Sequence, residues 1–377
     1  MRPDPVRQEV MASAHTWVVK VGTNVLAASD GTLDHDRIDQ LAEQIADIAE
    51  GGTRVALVSS GAVGAGIGQL GWKTRPESLP QLQAAAAVGQ AYLMRAYNER
   101  FRHHGFHAAQ LLLTHEDFDH RVRYLNMRNT MSALFDASAV PIINENDTIS
   151  IDEIKFGDND RLAAMVANLL QAPLLVILSV VDGLYAGDPH APGAGEPIRT
   201  VADLDEEVLG LARSSKSTLG TGGMRSKLQS ARLVTCAGGS VIIASGRGPE
   251  TLKAIQRGEP VGTLFLGSGK TRTARHRWIG LTARPKGHFV VDAGARVALE
   301  AGRGSLLAIG VVDVVGEFEK GDVVGVQDPD GFEFARGLTN YSTAEALKIR
   351  GLRNEQVRQI LGTQYDEVVH RDNLVLT

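Results

Sequence analysis

Short, uninterrupted apolar runs alternate with glycine-rich turns and helix-patterned stretches along the first 266 residues, and no other feature limits the folding choices of this chain as strongly. Trp17 to Val21, Arg54 to Ser59 (RVALVS), Ala109 to Leu113, Val140 to Ile143, Leu174 to Leu178 and Ser240 to Ala244 are short for helices and nearly continuous in apolar character. Strands of that kind are buried on both faces, an environment supplied by a mainly parallel sheet sandwiched by helices. Between them lie amphipathic stretches. Ile38, Leu41, Ile45 and Ile48 follow Asp34 at helical spacing and stop at Gly51-Gly52, and a long alanine-rich helix runs from about Pro80 to His103. The fold class expected for residues 1–266 is α/β.

After Phe265 the texture changes. Residues 267–286 are rich in Lys, Arg, Gly and Thr and read as a linker. From residue 287 to 377, short strands (FVVDAG, SLLAIGVVDVVG, DVVGVQD, FEFARGL) follow at close spacing, with one helix near Ser342 to Arg350. That pattern predicts a small β-barrel or sandwich. A chain of 377 residues exceeds what one core usually supports, so two domains are the expectation. The net charge of −5 gives no global reason to bind nucleic acid or an anionic membrane. Arg284 to Thr377 carries 11 Lys plus Arg against 14 Asp plus Glu, without the basic footprint of a nucleic-acid module. Cys236 is the single cysteine, so no intramolecular disulfide can form. No run reaches the ~20 apolar residues of a membrane helix, and the N-terminal stretch has no signal-peptide core. A cytosolic protein is expected.

In open parallel sheets ligands bind beyond the carboxyl ends of the strands, so the residues at those ends are the candidates for chemistry. The first strand ends Lys20-Val21-Gly22-Thr23-Asn24. A lysine in an apolar strand is costly unless its charge meets a partner, although an edge strand would let it reach solvent. Ser60-Gly61-Ala62-Val63-Gly64 follows the second strand; small residues there let backbone amides approach an anion, or simply allow close helix packing. Asn144-Glu145-Asn146-Asp147 follows the fourth strand, and the chain returns through Gly157-Asp158-Asn159-Asp160 into an apolar helix. One Asn or Asp suffices as a helix cap, and this loop carries many more. Gly220-Thr221-Gly222-Gly223-Met224-Arg225-Ser226-Lys227 is a second glycine-rich turn with a lysine one helical turn in, either a phosphate cradle or a loop with a surface lysine.

Two tempting motifs fail. GIGQLG at Gly66 lies past its strand with no acid near twenty residues on, and Gly269-Lys270-Thr271 has Leu264 where a Walker loop needs glycine. No Cys/His metal spacing and no Ser-His-Asp arrangement is present, so no protein-held metal is expected. Two lysines, two anion turns and two amide-carboxylate clusters at strand ends are the parts that phosphoryl transfer requires, with Mg2+ carried by nucleotide phosphates.

The blocks VVKVGTNVL, LVSSGAVGAG, PIINENDTIS, IKFGDNDRLAA and GTGGMRSKL, in that order and spacing, resemble the amino acid kinase family, and the tail from about Gly287 is similar to a PUA domain. The resemblance implies an amino acid kinase fold plus a C-terminal β-barrel-like PUA domain. It implies transfer of the γ-phosphoryl group of ATP to the side-chain carboxylate of L-glutamate, opening proline biosynthesis, with proline as feedback inhibitor. Lys20, Lys227 and Asp160 are implied as catalytic. Gly22, Thr23, Ser179, Val180, Thr221, Gly222, Gly223, Met224, Arg225 and Ser226 are implied on the nucleotide side with the two lysines, and Ser60, Gly61, Asn144, Asp147 and Asn159 on the glutamate side. Position 180 is Val where the family commonly has Asp; Asp182 is the nearest carboxylate to replace it. A homo-oligomer, dimer or tetramer, is also expected. The alternatives are a kinase of acetylglutamate or aspartate, and an RNA-binding protein acting through its tail.

Overall fold

The computed structural model describes residues 4–28, 32–149, 159–188, 195–211, 223–269, 273–302, 304–362 and 365–377. The chain divides into two compact units, residues 1–117 with 121–271, and residues 118–120 with 272–377.

Among the described residues, the first unit holds an eight-stranded sheet. Its strands are β1 (Thr16–Val21), β2 (Arg54–Ser59), β3 (His107–Leu113), β4 (Ala139–Glu145), β5 (Leu174–Ser179), β6 (Thr200–Val201), β7 (Ser240–Ser245) and β8 (Thr263–Phe265). They lie in the order β3-β4-β2-β1-β5-β7-β8-β6. All pairings are parallel except β7 with β8, which the three-residue length of β8 kept out of the sequence pattern. Every residue of β1, β4 and β5 is buried, as a sheet covered on both faces requires. The helix His35–Glu50 buries Ile38, Leu41, Ile45 and Ile48 against one face together with Val19, Leu57 and Val176. The helix Asn159–Leu170 packs on β1, β2, β4 and β5 and is buried along nearly its whole length. Among the described residues no helix is long and apolar enough to cross a membrane.

Two glycines set one contact of this unit. A Cβ on Gly66 would sit 1.7 Å from the Ala85 carbonyl oxygen, and one on Gly89 would sit 1.8 Å from that of Ala62. Helices Ala62–Gln69 and Leu79–His103 therefore touch backbone to backbone. Gly89→Ala is expected to destabilise the unit by about 1–3 kcal/mol or more, since overpacking forces the helices apart. Urea unfolding reads this directly, and an unchanged midpoint would show that the helices slide without cost.

At the far edge of the sheet the N-terminal helix Pro5–Ser13 is held by Arg7, which is 1% exposed. Its guanidinium donates to the carbonyl oxygens of Val261 at 2.6 Å, Arg199 at 2.8 Å and Gly262 at 2.9 Å.

The second unit contains β9 (Gly287–Val291), β10 (Val311–Gly316), β11 (Val323–Gln327), β12 (Glu333–Thr339) and β13 (Val369–Leu376), in the order β10-β9-β11-β12-β13. Only β9 and β11 pair in parallel. Phe289, Val324, Val326, Phe334 and Tyr341 belong to its own core. The helix expected near Ser342 is Thr343–Ile349, opened by a Ser342–Glu345 capping box. The stretch read from composition as a linker is not uniformly exposed. Trp278–Thr282 coils as a short π-helix, with Trp278 3% exposed and its Nε1 donating to the Phe118 carbonyl at 2.7 Å. The apolar WIGL run was masked in the composition by the Lys and Arg around it.

Candidate active site

The carboxyl ends of β1, β2, β4 and β5 lie side by side, so the loops leaving them share one edge. β1 carries Lys20 one residue before its end, with its side chain 8% exposed. An isolated ammonium at that depth would be strongly penalised. Asp160, the second residue of the helix Asn159–Leu170, supplies the compensation: Lys20 Nζ lies 2.7 Å from Asp160 Oδ1. The other carboxylate oxygen, Oδ2, lies 3.0 Å from Lys227 Nζ, in the first turn of helix Met224–Thr235. One carboxylate thus bridges two buried ammonium groups, and the three residues come from separate parts of the chain. Burial alone would raise the Asp160 carboxyl, but the charges of Lys20 and Lys227 and their hydrogen bonds outweigh it and hold the pKa below the usual carboxylate range. The trio retains one positive charge in excess, which suits a polyanionic ligand.

A second network begins one residue earlier. Asn159 Nδ2 donates to Ser60 Oγ at 2.7 Å and to Asn144 Oδ1 at 2.9 Å. Asn144 Oδ1 also accepts the backbone N–H of Glu145 at 2.9 Å, and Asn144 Nδ2 donates to Gln90 Oε1 at 3.0 Å. Asn144, Asn159 and Gln90 are all buried. Gly61, between Ser60 and the helix that follows β2, has φ +103°, a left-handed turn that favours glycine. Asp147 is half-buried in the turn after β4. The structure therefore gathers Lys20, Asp160 and Lys227 in one cluster and Ser60, Asn144 and Asn159 in another, and the adjacent residues Asn159 and Asp160 join the two. Gln90 was missed, because a glutamine in an alanine-rich helix carries no sequence signal of burial.

On the remaining side, Gly22 opens the short helix Thr23–Leu26, and a Cβ placed on it would lie 3.4 Å from Lys20 Nζ. Thr23 is exposed. Ser179 ends β5, and its carbonyl accepts the Gly246 N–H at 2.8 Å. Val180 is 42% exposed. Asp182 accepts the Tyr185 hydroxyl at 2.6 Å, a bond that, with lesser burial and charge effects, pushes the Tyr185 pKa up to about 12. Gly223 caps helix Met224–Thr235, where Met224 and Ser226 are partly buried and Arg225 is exposed. Thr221 and Gly222 lie outside the described residues. Both oxygens of Asp160 are committed to lysines, so the donor set fits a Mg2+ that arrives on nucleotide phosphates rather than one held by this carboxylate.

Residues 15–245 match the model of the amino acid kinase family, and residues 287–361 match that of the PUA domain. The chain is 47% identical over 372 residues to glutamate 5-kinase of Geobacter sp. (strain M21), covering 98% of this chain and 100% of the relative. It is 46% identical over 371 residues to glutamate 5-kinase of Thioalkalivibrio sulfidiphilus (strain HL-EbGR7), covering 98% and 99%. Among solved structures it is similar to carbamate kinase from Giardia lamblia bound to AMP-PNP, at 20% identity and TM-score 0.48, covering 68% of this chain and 100% of that one.

Proposed function

The chain belongs to the amino acid kinase family, and from that premise we propose how its residues divide the transfer of the γ-phosphoryl group of ATP to the side-chain carboxylate of L-glutamate. The product, γ-glutamyl phosphate, is the first intermediate of proline biosynthesis. Lys20 and Lys227 flank the group in flight and neutralise charge spreading over its oxygens, where little covalent participation is needed. Asp160 is the positioning residue for both. The observation that carries this reading is the single buried carboxylate within 3.0 Å of two buried ammonium groups. Such a trio is weak as a source of stability, because desolvation offsets most of its Coulomb gain, yet well suited to hold cations still.

Gly22 and Thr23 contact the phosphates on one side and Gly223 to Ser226 on the other, and Thr221 and Gly222 are assigned to the nucleotide by the family resemblance alone. Ser179 and Val180 border the nucleotide. Mg2+, bound through ATP, supplies further charge neutralisation. Ser60, Gly61, Asn144 and Asn159 receive glutamate, and Asp147 pairs its ammonium. Proline as feedback inhibitor, a dimeric or tetrameric assembly and a cytosolic location follow from the family resemblance. The acidic balance of the second unit disfavours nucleic acid as its partner.

ATP turnover with L-glutamate, N-acetylglutamate and L-aspartate side by side tests the substrate assignment. Glutamate is expected to be turned over far faster, and a preference for either competitor would overturn it. Asp147→Asn is expected to raise the glutamate KM by about 10- to 100-fold, the scale of a ~1.5–3 kcal/mol charged hydrogen bond, with the ATP KM nearly unmoved. Equal losses for both substrates would remove Asp147 from the ammonium site.

A further inference from the structure

The amides at the end of β4 form a directional chain whose polarity is fixed from outside. The backbone N–H of Glu145 can only donate, so the atom of Asn144 that receives it at 2.9 Å must be Oδ1. Asn144 Nδ2 is then forced toward Gln90, which must answer with Oε1, at 3.0 Å. That leaves Gln90 Nε2 outside the relay. This nitrogen is buried and has no hydrogen-bond partner among the described residues. Gln90 as a whole is 6% exposed. A buried amide without acceptors is costly, and in native proteins such a group calls for an explanation.

The position of Gln90 supplies one. Seven residues on in the same helix, Tyr97 meets the last residue of β2, its hydroxyl 3.0 Å from Ser59 Oγ. Seven residues are two turns of helix, so both side chains share a face, with Gln90 roughly 10.5 Å nearer the helix N-terminus. Its bond to Asn144, near the end of β4, puts that turn at the edge where the amide network lies. Gly89, held against the Ala62 carbonyl, leaves Gln90 little room to withdraw.

We infer that Gln90 is a substrate-binding residue whose free Nε2 donates to the α-carboxylate of the amino acid, the end remote from the phosphoryl group. This rests on the proposed assignment of glutamate to the Ser60–Asn144–Asn159 network. The reacting carboxylate must lie against Lys20 and Lys227, and Gln90 stands at the opposite end of the relay, beyond Asn159 and Asn144. The α-carboxylate is the remaining acceptor on an acidic amino acid, and it carries the charge that a donor on a desolvated amide recognises best.

Gln90→Glu separates this role from a purely structural one. The new carboxylate still accepts from Asn144 Nδ2, so the relay survives, but the unpartnered donor becomes an acceptor. The glutamate KM is expected to rise at least about 10- to 100-fold, with the ATP KM unchanged. A buried carboxyl has a raised pKa and regains a donor when protonated, so the variant's glutamate KM is expected to fall as the pH is lowered, unlike that of the parent. Gln90→Met, close in size and without polar atoms, serves as the second variant. Its preference for glutamate over 4-aminobutanoate, which lacks the α-carboxylate, is expected to shrink about tenfold or more. Glutamate KM values within twofold of the parent in both variants, with parental pH dependence and selectivity, would overturn the inference. Absence of glutamate turnover in the parent enzyme would instead sink the substrate assignment on which it rests.

Discussion

Lys227→Ala is expected to lower kcat by about 10²–10³-fold, the usual effect of removing one preorganised donor from developing charge. The substitution leaves Asp160 with Lys20 at 2.7 Å, so the buried carboxylate keeps a counter-ion and the fold survives. The loss falls on kcat rather than KM because the ammonium matters most when charge is spread over the transferred group. Lys20→Ala is expected to behave alike, with Lys227 at 3.0 Å as the remaining partner. Steady-state kinetics at saturating ATP and glutamate read the effect. A variant that kept near-parental kcat would show that its lysine only balances Asp160. Arginine is a poor replacement at either position, since its planar fork is larger than the ammonium that the cluster encloses.

Asp160→Asn produces the opposite imbalance. The amide preserves shape but leaves two ammonium groups buried without their shared carboxylate. Removing one side of a buried ion pair typically costs about 3–5 kcal/mol, so urea unfolding should shift by that scale and kcat should fall with it. The pH dependence follows from the lowered pKa of Asp160. A carboxylate whose folded pKa is depressed contributes stability above its unfolded value, about 3.9, and loses that contribution as pH falls toward the folded value. The stability gap between parent and Asp160→Asn is therefore expected to be constant above about pH 5 and to close in acid. A gap that stayed constant into strong acid would mean that Asp160 is not ionised in the folded enzyme.

Residue type made parts of this architecture legible and hid others. β1, β2 and β5 announced themselves because strands buried on both faces need unbroken apolar runs. Lys20 stood out for the same reason, as a charge where the pattern tolerates none. Asp160 and Lys227 were visible as members of polar loops, but that one carboxylate serves both lysines is a fact of three-dimensional closure, which spacing along the chain does not encode. Gln90 and Arg7 left no trace. Each occupies a helix of ordinary composition and is buried by partners that include residues 54 and about 250 positions away. Trp278–Thr282 was hidden by averaging, its apolar run being shorter than the basic stretch around it.

The acceptors that hold Arg7 are main-chain carbonyl oxygens, which every residue type provides. Side chains at positions 199 and 261 can therefore change without removing the acceptors. Position 262 is bound by a different rule, because its φ of +69° favours glycine. Arg7 has no such freedom: lysine would bring a single point charge to oxygens arranged for a planar fork. The N-terminal helix is thus fastened by a lock with one specific side and one generic side. Over a long lineage the generic side can be rewritten residue by residue while the key is copied unchanged, and variability at a position there says little about how much of the structure hangs from it.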